Sequence, residues 1–337
     1  MSSRIEEKFS DGSEMIVLSN GQIEVWLNSQ GATIVRLFVR DRNGELQDVV
    51  LGHDVHEDYE KYKLYVGAVA GRVCNRIRKG QFDLNGVSYQ LPINNGPNSL
   101  HGGIRGFSFV NFRPELRENA VIFSRVSPDQ EEGYPGTLNV SVEYSLEGST
   151  LNIHYHAETD EDTLVNLTNH AYFNLDGQAD YIGDHELTLA AEQFVCVDPD
   201  GLATGEIRKT EGTPFDFRNP KKISLAFDDS YDQVRAGSGI DHHFIFSASE
   251  NQATLYSDQT GIELTLNTTL PGAQIYSANF LQDEPGKNGQ TMPYRSGICL
   301  ETQKMPDDIH INSENPETLL RKGDVFDEKT SFTFKVR

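Results

Sequence analysis

The chain has 337 residues, with 29 Lys plus Arg against 51 Asp plus Glu, a formal net charge of −22. Such an acidic surface argues against nucleic acid as a partner, and likewise against an anionic membrane surface, because both require cations facing phosphates. Hydrophobic residues make up 37% and charged residues 24%, a soluble globular composition without the roughly 20-residue apolar run of a membrane span. The N-terminal segment MSSRIEEKFSDGSE has no apolar signal core, and Cys74, Cys196 and Cys299 are too widely spaced for a disulfide framework or a CxxC metal pattern. A reduced, cytoplasmic protein is expected.

Taken in chain order, two-residue alternation dominates. Strands are predicted at 23–27, 33–39 and 120–126. Within 137–157, Val140, Val142, Tyr144 and Leu146 alternate, a turn falls at Glu147-Gly148, and Leu151, Ile153, Tyr155 and Ala157 repeat the pattern. This is the mark of a hairpin. Further strands are predicted at 185–189, 244–246, 253–256, 262–268, 273–278 and 331–336. Helical period is scarce, with one short charged candidate at 55–63. The expected fold is all-β, a large antiparallel sandwich with few short helices, formed as a single domain over 1–337.

Five polar clusters interrupt this pattern. GRVCNRIRKG (71–80) gathers Arg72, Asn75, Arg76 and Arg78, either a solvated basic turn or a fork of donors for an oxygen-rich ligand. NNGPNSLHGG (94–103) places His101 in a glycine-rich loop, where backbone and ligand can approach closely. NLTNHAYFNLDG (166–177) sets His170 in a strand-like run with Tyr172 close by. It reads equally as a structural histidine or as part of a polar pocket. GIDHHF (239–244) offers Asp241, His242 and His243. Neighbouring strand residues point to opposite faces, so the two imidazoles do not suit a single ion. CLETQKMPDDIH (299–310) places Glu301 after an apolar stretch, where lost hydration raises a carboxyl pKa and suits it to act as a base; the alternative is an exposed strand-edge glutamate. No P-loop, GxGxxG, GxSxG or HExxH is present.

Together the motifs resemble the galactose mutarotase (aldose 1-epimerase) family. The matching stretches are GRVCNRI, NNGPNSLHGG, EEGYPGTLNV, TNHAYFNLDG, ATGE, GTPFDFR, DHHF, QIYSANF and ETQKMPDD, in that order between about residues 67 and 308. The resemblance implies a β-supersandwich and an isomerase that interconverts the α and β anomers of free aldoses such as galactose and glucose without cofactor or metal. By motif position it implies Glu301 as general base and His170 as general acid. Asn75, Arg76, His101, Tyr172, Asp241 and Gln274 fall on sugar-contacting positions. Cys74, Ala171, Asp308 and His310 depart from the commonest family pattern without touching the acid–base pair.

The partner expected from this resemblance is a small sugar, bound by a monomer or weak homodimer. The unperturbed pKa values of Glu and His, about 4.3 and 6.5, suit a base and an acid respectively. Other readings of the same residues are a glycoside hydrolase using Asp241 and Glu301, a non-catalytic carbohydrate-binding sandwich, and an epimerase of hexose 6-phosphates using Arg72, Arg76 and Arg78. A disaccharide such as maltose is an open alternative substrate.

Overall fold

Two-residue alternation becomes three antiparallel sheets in the computed structural model, which describes residues 2–177 and 180–337. A five-stranded meander runs through Ser2–Lys8, Glu14–Ser19, Glu24–Asn28, Thr33–Arg40 and Leu46–Asp48. A nine-stranded sheet is centred on Leu138–Glu147, Thr150–Thr159 and Val325–Val336. The predicted hairpin is its spine: Val142 lies opposite Tyr155 and Tyr144 opposite Ile153, all four buried. One apolar core takes residues from all three sheets, among them Ile16, Val121, Phe194 and Phe332. The helices His56–Tyr62, Asp232–Ala236 and Asp308–Ile311 are short. Among the described residues no helix is long and apolar enough to cross a membrane.

The six-stranded sheet carries Tyr172, Asp241, Gln274 and Glu301, four of the eight residues expected at the site. Its order is Tyr172–Phe173, Ile298–Gln303, Gly272–Tyr276, Asp241–Phe246, Ala191–Val197 and Ala203–Lys209. Ile298–Gln303 and Gly272–Tyr276 are buried at every position, so both faces of these strands are covered. The faces differ in chemistry. Phe173, Ile298, Leu300, Ala273, Ile275 and Phe244 belong to the apolar core. Register places the intervening residues on the other face: Tyr172 opposite Cys299, Cys299 opposite Tyr276, and Tyr276 opposite Asp241. Gln274 pairs with both Glu301 and His243. Directly opposed residues in an antiparallel pair share a face, so one alternation separates core from polar floor.

Several sequence expectations need adjustment. The strand predicted at 331–336 begins at Val325, and that at 244–246 begins at Asp241. Ser2–Lys8, Glu14–Ser19, Ala191–Val197 and Ala203–Lys209 were not anticipated. Ser2–Lys8 and Ala203–Lys209 are charged edge strands with solvent on much of their surface. Charge is a common protection for an edge, and it masks apolar alternation. His170 does not lie in a continuous strand. It sits between the two-residue strands Thr168–Asn169 and Tyr172–Phe173, where its N–H bonds Ala68 O and its carbonyl accepts from Gly67 N.

Arg72 ties two of the polar segments together. It is 2% exposed. Its guanidinium donates to the carbonyls of Ser127, Pro128 and Pro135 at 2.8–3.0 Å and to Ser127 Oγ at 2.8 Å. The 127–135 turn is thereby fastened beneath the strand that leads to Asn75 and Arg76. From the same turn, Glu132 accepts the N–H groups of Ile104 and Arg105 and so holds the loop that carries His101. Arg72→Met should therefore leave several buried carbonyls unpaired and cost about 3 kcal/mol. Urea unfolding checks this; an unchanged midpoint would show that the anchor contributes nothing.

Candidate active site

A cavity of about 420 Å³ opens above the polar face of the six-stranded sheet, within the roughly 300–1,000 Å³ usual for small-molecule sites. All eight residues that the resemblance implied for the site line it: Asn75, Arg76, His101, His170, Tyr172, Asp241, Gln274 and Glu301. The floor comes from the strands, with Tyr172, Glu301, Gln274 and Asp241 at alternate positions. The walls come from loops.

The 71–80 and 94–103 segments form one wall as a unit. Arg76–Ile77 pairs with Ser99–Leu100. His101 N donates to Asn75 O, and Asn75 N donates to His101 Nδ1 at 3.2 Å. Asn75 and His101 both have left-handed backbone, with φ of 62° and 50°, which is uncommon outside glycine and turns each side chain inward. Gly102 is required beside them. Its φ is +86°, and a Cβ there would stand 1.8 Å from Gly71 O. Asn94 completes the loop by bonding Leu100 N, Leu100 O and Gly103 O. Arg76 is held by Asn95 Oδ1 at 2.9 Å and Gly201 O at 3.1 Å. On the far side, Asn279 donates to Gly237 O and Ile240 O, fixing the turn before Asp241.

The other cations of the first segment point elsewhere. Arg72 is buried among the 127–135 carbonyls, and Arg78 pairs with Asp307 at 3.2 Å. Only Arg76 of the three arginines proposed for a phosphate lines the cavity. His242 and His243 face opposite sides as expected. His242 packs on the core rings Phe194 and Phe215 and meets Gln233, while His243 lies on the polar face opposite Gln274. Sequence motifs did not single out Tyr65, Asn95, Tyr276 or Phe280, which also line the cavity. The latter two lie within or beside QIYSANF, but aromatic residues there read as ordinary strand packing.

Glu301 and His170 meet at the centre, with Glu301 Oε1 3.5 Å from His170 Nε2. Cys299 Sγ lies 3.5 Å from His170 Nδ1. Gln274 Nε2 donates to Asp241 Oδ1 at 2.7 Å. Among the described residues Glu301 Oε2 has no hydrogen-bond partner although it is buried, a group poised for something that enters the cavity. Burial dominates the acid–base balance. It pushes the Glu301 carboxyl well above the usual carboxylate range, reinforced by the negative charge of Asp241 and opposed by Arg76. It pulls the His170 imidazole down to about 4. The ordinary values assumed from sequence thus do not hold here: burial drives both groups toward neutrality.

Among the described residues, His101, His170 and Glu301 bring their ligating atoms within 4.8 Å of one another, close enough to suggest an ion. The hydrogen bond from Asn75 N argues otherwise. It occupies the lone pair on His101 Nδ1, and burial keeps that ring neutral. The proton then resides on Nε2, leaving His101 a donor into the cavity and not a ligand.

Comparison with known proteins agrees with this architecture. The family model described as aldose 1-epimerase matches residues 14–333, and the sheets form a mutarotase-like fold. The chain belongs to the aldose 1-epimerase (galactose mutarotase) family. It is 45% identical over 328 residues to galactose mutarotase from Bos taurus, covering 96% of this chain and 94% of that protein. It is 32% identical to aldose 1-epimerase from Escherichia coli K12, covering 94% and 93%. Among solved structures, an aldose epimerase homologue from C. elegans superposes with a TM-score of 0.90 at 32% identity, covering 96% of this chain and 99% of that one.

Holding Glu301 in this place carries a stability cost with a defined pH dependence. Its folded-state pKa is raised, so above about pH 4.5 the native protein retains a proton that the unfolded chain releases. Stability therefore falls as pH rises through that window, by up to about 1.4 kcal/mol per pH unit. Glu301→Gln should raise the thermal midpoint, with a gain that grows between pH 5 and the folded-state pKa. Calorimetry across that range tests this; a gain independent of pH would contradict it.

Proposed function

We propose that the chain is an aldose 1-epimerase acting on free aldohexoses such as galactose and glucose, and that residues 1–337 work as one sugar-handling unit. The observation that carries the reading is the Glu301–His170 pair at 3.5 Å, set in a cavity lined by hydroxyl-seeking side chains. The relatives named galactose mutarotase support the substrate class.

Anomer exchange requires removal of the O1 proton and delivery of a proton to ring oxygen O5. At rest burial holds the one proton of the pair on Glu301; in the reacting form that proton lies on His170, so Glu301 as carboxylate takes the O1 proton, and His170 as imidazolium gives its proton to O5. The C1–O5 bond breaks and O1 becomes the carbonyl oxygen of the open aldehyde. After rotation about C1–C2, O5 attacks the other carbonyl face. It returns its proton to His170, and Glu301 reprotonates O1. His101 donates through Nε2 toward O5, while Asn75, Arg76, Tyr172, Asp241 and Gln274 orient the remaining hydroxyls. Unpaired buried partners then reject sugars with the wrong hydroxyl arrangement.

One proton on the pair is the working state. Two protons leave no base, and none leaves no acid, so the rate is bell-shaped in pH. Glu301→Gln and His170→Asn should each lower kcat about 10²–10⁴-fold while the fold is kept. Polarimetry of freshly dissolved α-galactose and α-glucose reads this directly; near wild-type turnover in either variant would remove that residue from the mechanism. Asp241→Asn removes a negative charge that favours protonation of Glu301. The alkaline limb of its profile, where Glu301 gives up the last proton, should therefore move to lower pH, and a shift upward would refute the electrostatic assignment.

A further inference from the structure

Tyr65 belongs to none of the motifs that drew attention to the cavity, yet its ring contacts both histidines of the site. It lies 4.6 Å from His101 at 54°, and 6.0 Å from His170 at 26°. Tyr172 lies 5.1 Å from His170 at 27°. Two phenol rings are thus near-parallel to the imidazole, while His101 and Tyr276 meet it edge-on at 75° and 74°. The remaining groups facing His170 are Glu301 and Cys299.

The backbone is arranged to deliver this ring. Tyr65 has φ +59°, a left-handed conformation that a bulky aromatic residue rarely adopts. Such strained residues persist where surrounding structure holds them, and they cluster at functional sites. Here the holding bonds join the two tyrosines. Tyr172 Oη donates to the Leu64 carbonyl at 3.1 Å, Ala68 N donates to Tyr65 O, Gly67 N donates to His170 O, and His170 N donates to Ala68 O. Residues 64–68 and 170–172 are therefore joined by hydrogen bonds into one unit that carries both tyrosines and the histidine.

We propose that Tyr65 is a positioning residue of the reaction, forming with Tyr172 an aromatic clamp that fixes the His170 ring plane and presents electron-rich faces to its protonated form. An aromatic face attracts a cation, and more so when water is excluded. Without such faces the imidazolium has little to offset its lost hydration, since among the described residues the one carboxyl paired with it is that of Glu301, which burial itself drives toward neutrality. Both phenols stay neutral, because burial raises the Tyr65 hydroxyl to about 12 and Tyr172 further. The clamp deepens the proposed acid–base reading and rests on it for its effect on rate, although not for its effect on the imidazole itself.

The test uses the full chain with Tyr65→Phe and Tyr65→Asn. Phenylalanine keeps the aromatic face. Asparagine removes it while tolerating the left-handed backbone; should that variant fail to fold, Tyr65→Leu is read the same way. Two measurements are made: the imidazole titration of His170 by NMR without sugar, and kcat and KM for galactose across pH. Tyr65→Phe is expected to match wild type in both. Tyr65→Asn is expected to lower kcat about tenfold with KM changed less, and to lower the His170 titration by about half to one pH unit. Loss of imidazolium stabilisation lowers the share of the pair's proton that His170 carries, so kcat falls, and the acid limb, which His170 sets, moves to lower pH. Unchanged titration and acid limb in Tyr65→Asn, or equal losses in Tyr65→Phe, would overturn the clamp. Wild-type turnover in His170→Asn would instead overturn the acid–base reading, with the titration still deciding the clamp.

Discussion

The register of three neighbouring strands underlies everything else in this molecule. Asp241–Phe246, Gly272–Tyr276 and Ile298–Gln303 are paired so that Asp241, Gln274 and Glu301 share one face and Phe244, Ile275 and Leu300 the other. A one-residue slip would exchange the faces, sending carboxylates into the core and aliphatic chains into the cavity. The apolar face forbids that slip. Hydrophobic packing against the nine-stranded sheet therefore sets the positions of Asp241, Gln274 and Glu301 as firmly as it sets the core.

This placement has a chemical consequence. A carboxyl on a sheet covered on both faces loses most of its hydration, as does an imidazole packed among tyrosines. Each is driven toward its uncharged form. The cost to stability is accepted at one site, while supporting cations are placed where they secure backbone: Arg72 under the 127–135 turn, and Lys287 between the carbonyls of Val35 and Val50 and the Asp48 carboxylate. The second bond set pins the 284–292 hairpin to the five-stranded sheet. Rigid surroundings allow neutral, desolvated groups to be kept within proton-transfer reach, which mobile loops would not.

The family motifs likewise divide between chemistry and support once their contacts are known. In GRVCNRI, Arg72 anchors while Asn75 and Arg76 line the cavity. In DHHF, Asp241 lines the cavity while His242 packs in the core. In ETQKMPDD, Glu301 lies on the floor, whereas Asp307 accepts from Arg78 N and Asp308 from Thr318 N. Residues of one short motif thus do different work because adjacent strand positions face opposite environments, or because a turn has intervened.

Much was legible in the amino-acid order. Alternation of Val140, Val142 and Tyr144 against Leu151, Ile153 and Tyr155 identifies the central hairpin, because apolar residues two apart must share a face. The motif positions of Glu301, His170 and their six companions were enough to choose the side chains that now line one cavity. Edge strands such as Ala203–Lys209 escaped because their charges obscure the period. Tyr65 escaped for a different reason: nothing local marks it, and its importance arises from a left-handed turn that brings it against two histidines distant in the chain. The acid–base balance also could not be read from residue types. A carboxyl or imidazole pKa depends on how much water the rest of the protein removes from around it, and that is decided only when strands far apart in sequence close over the same space.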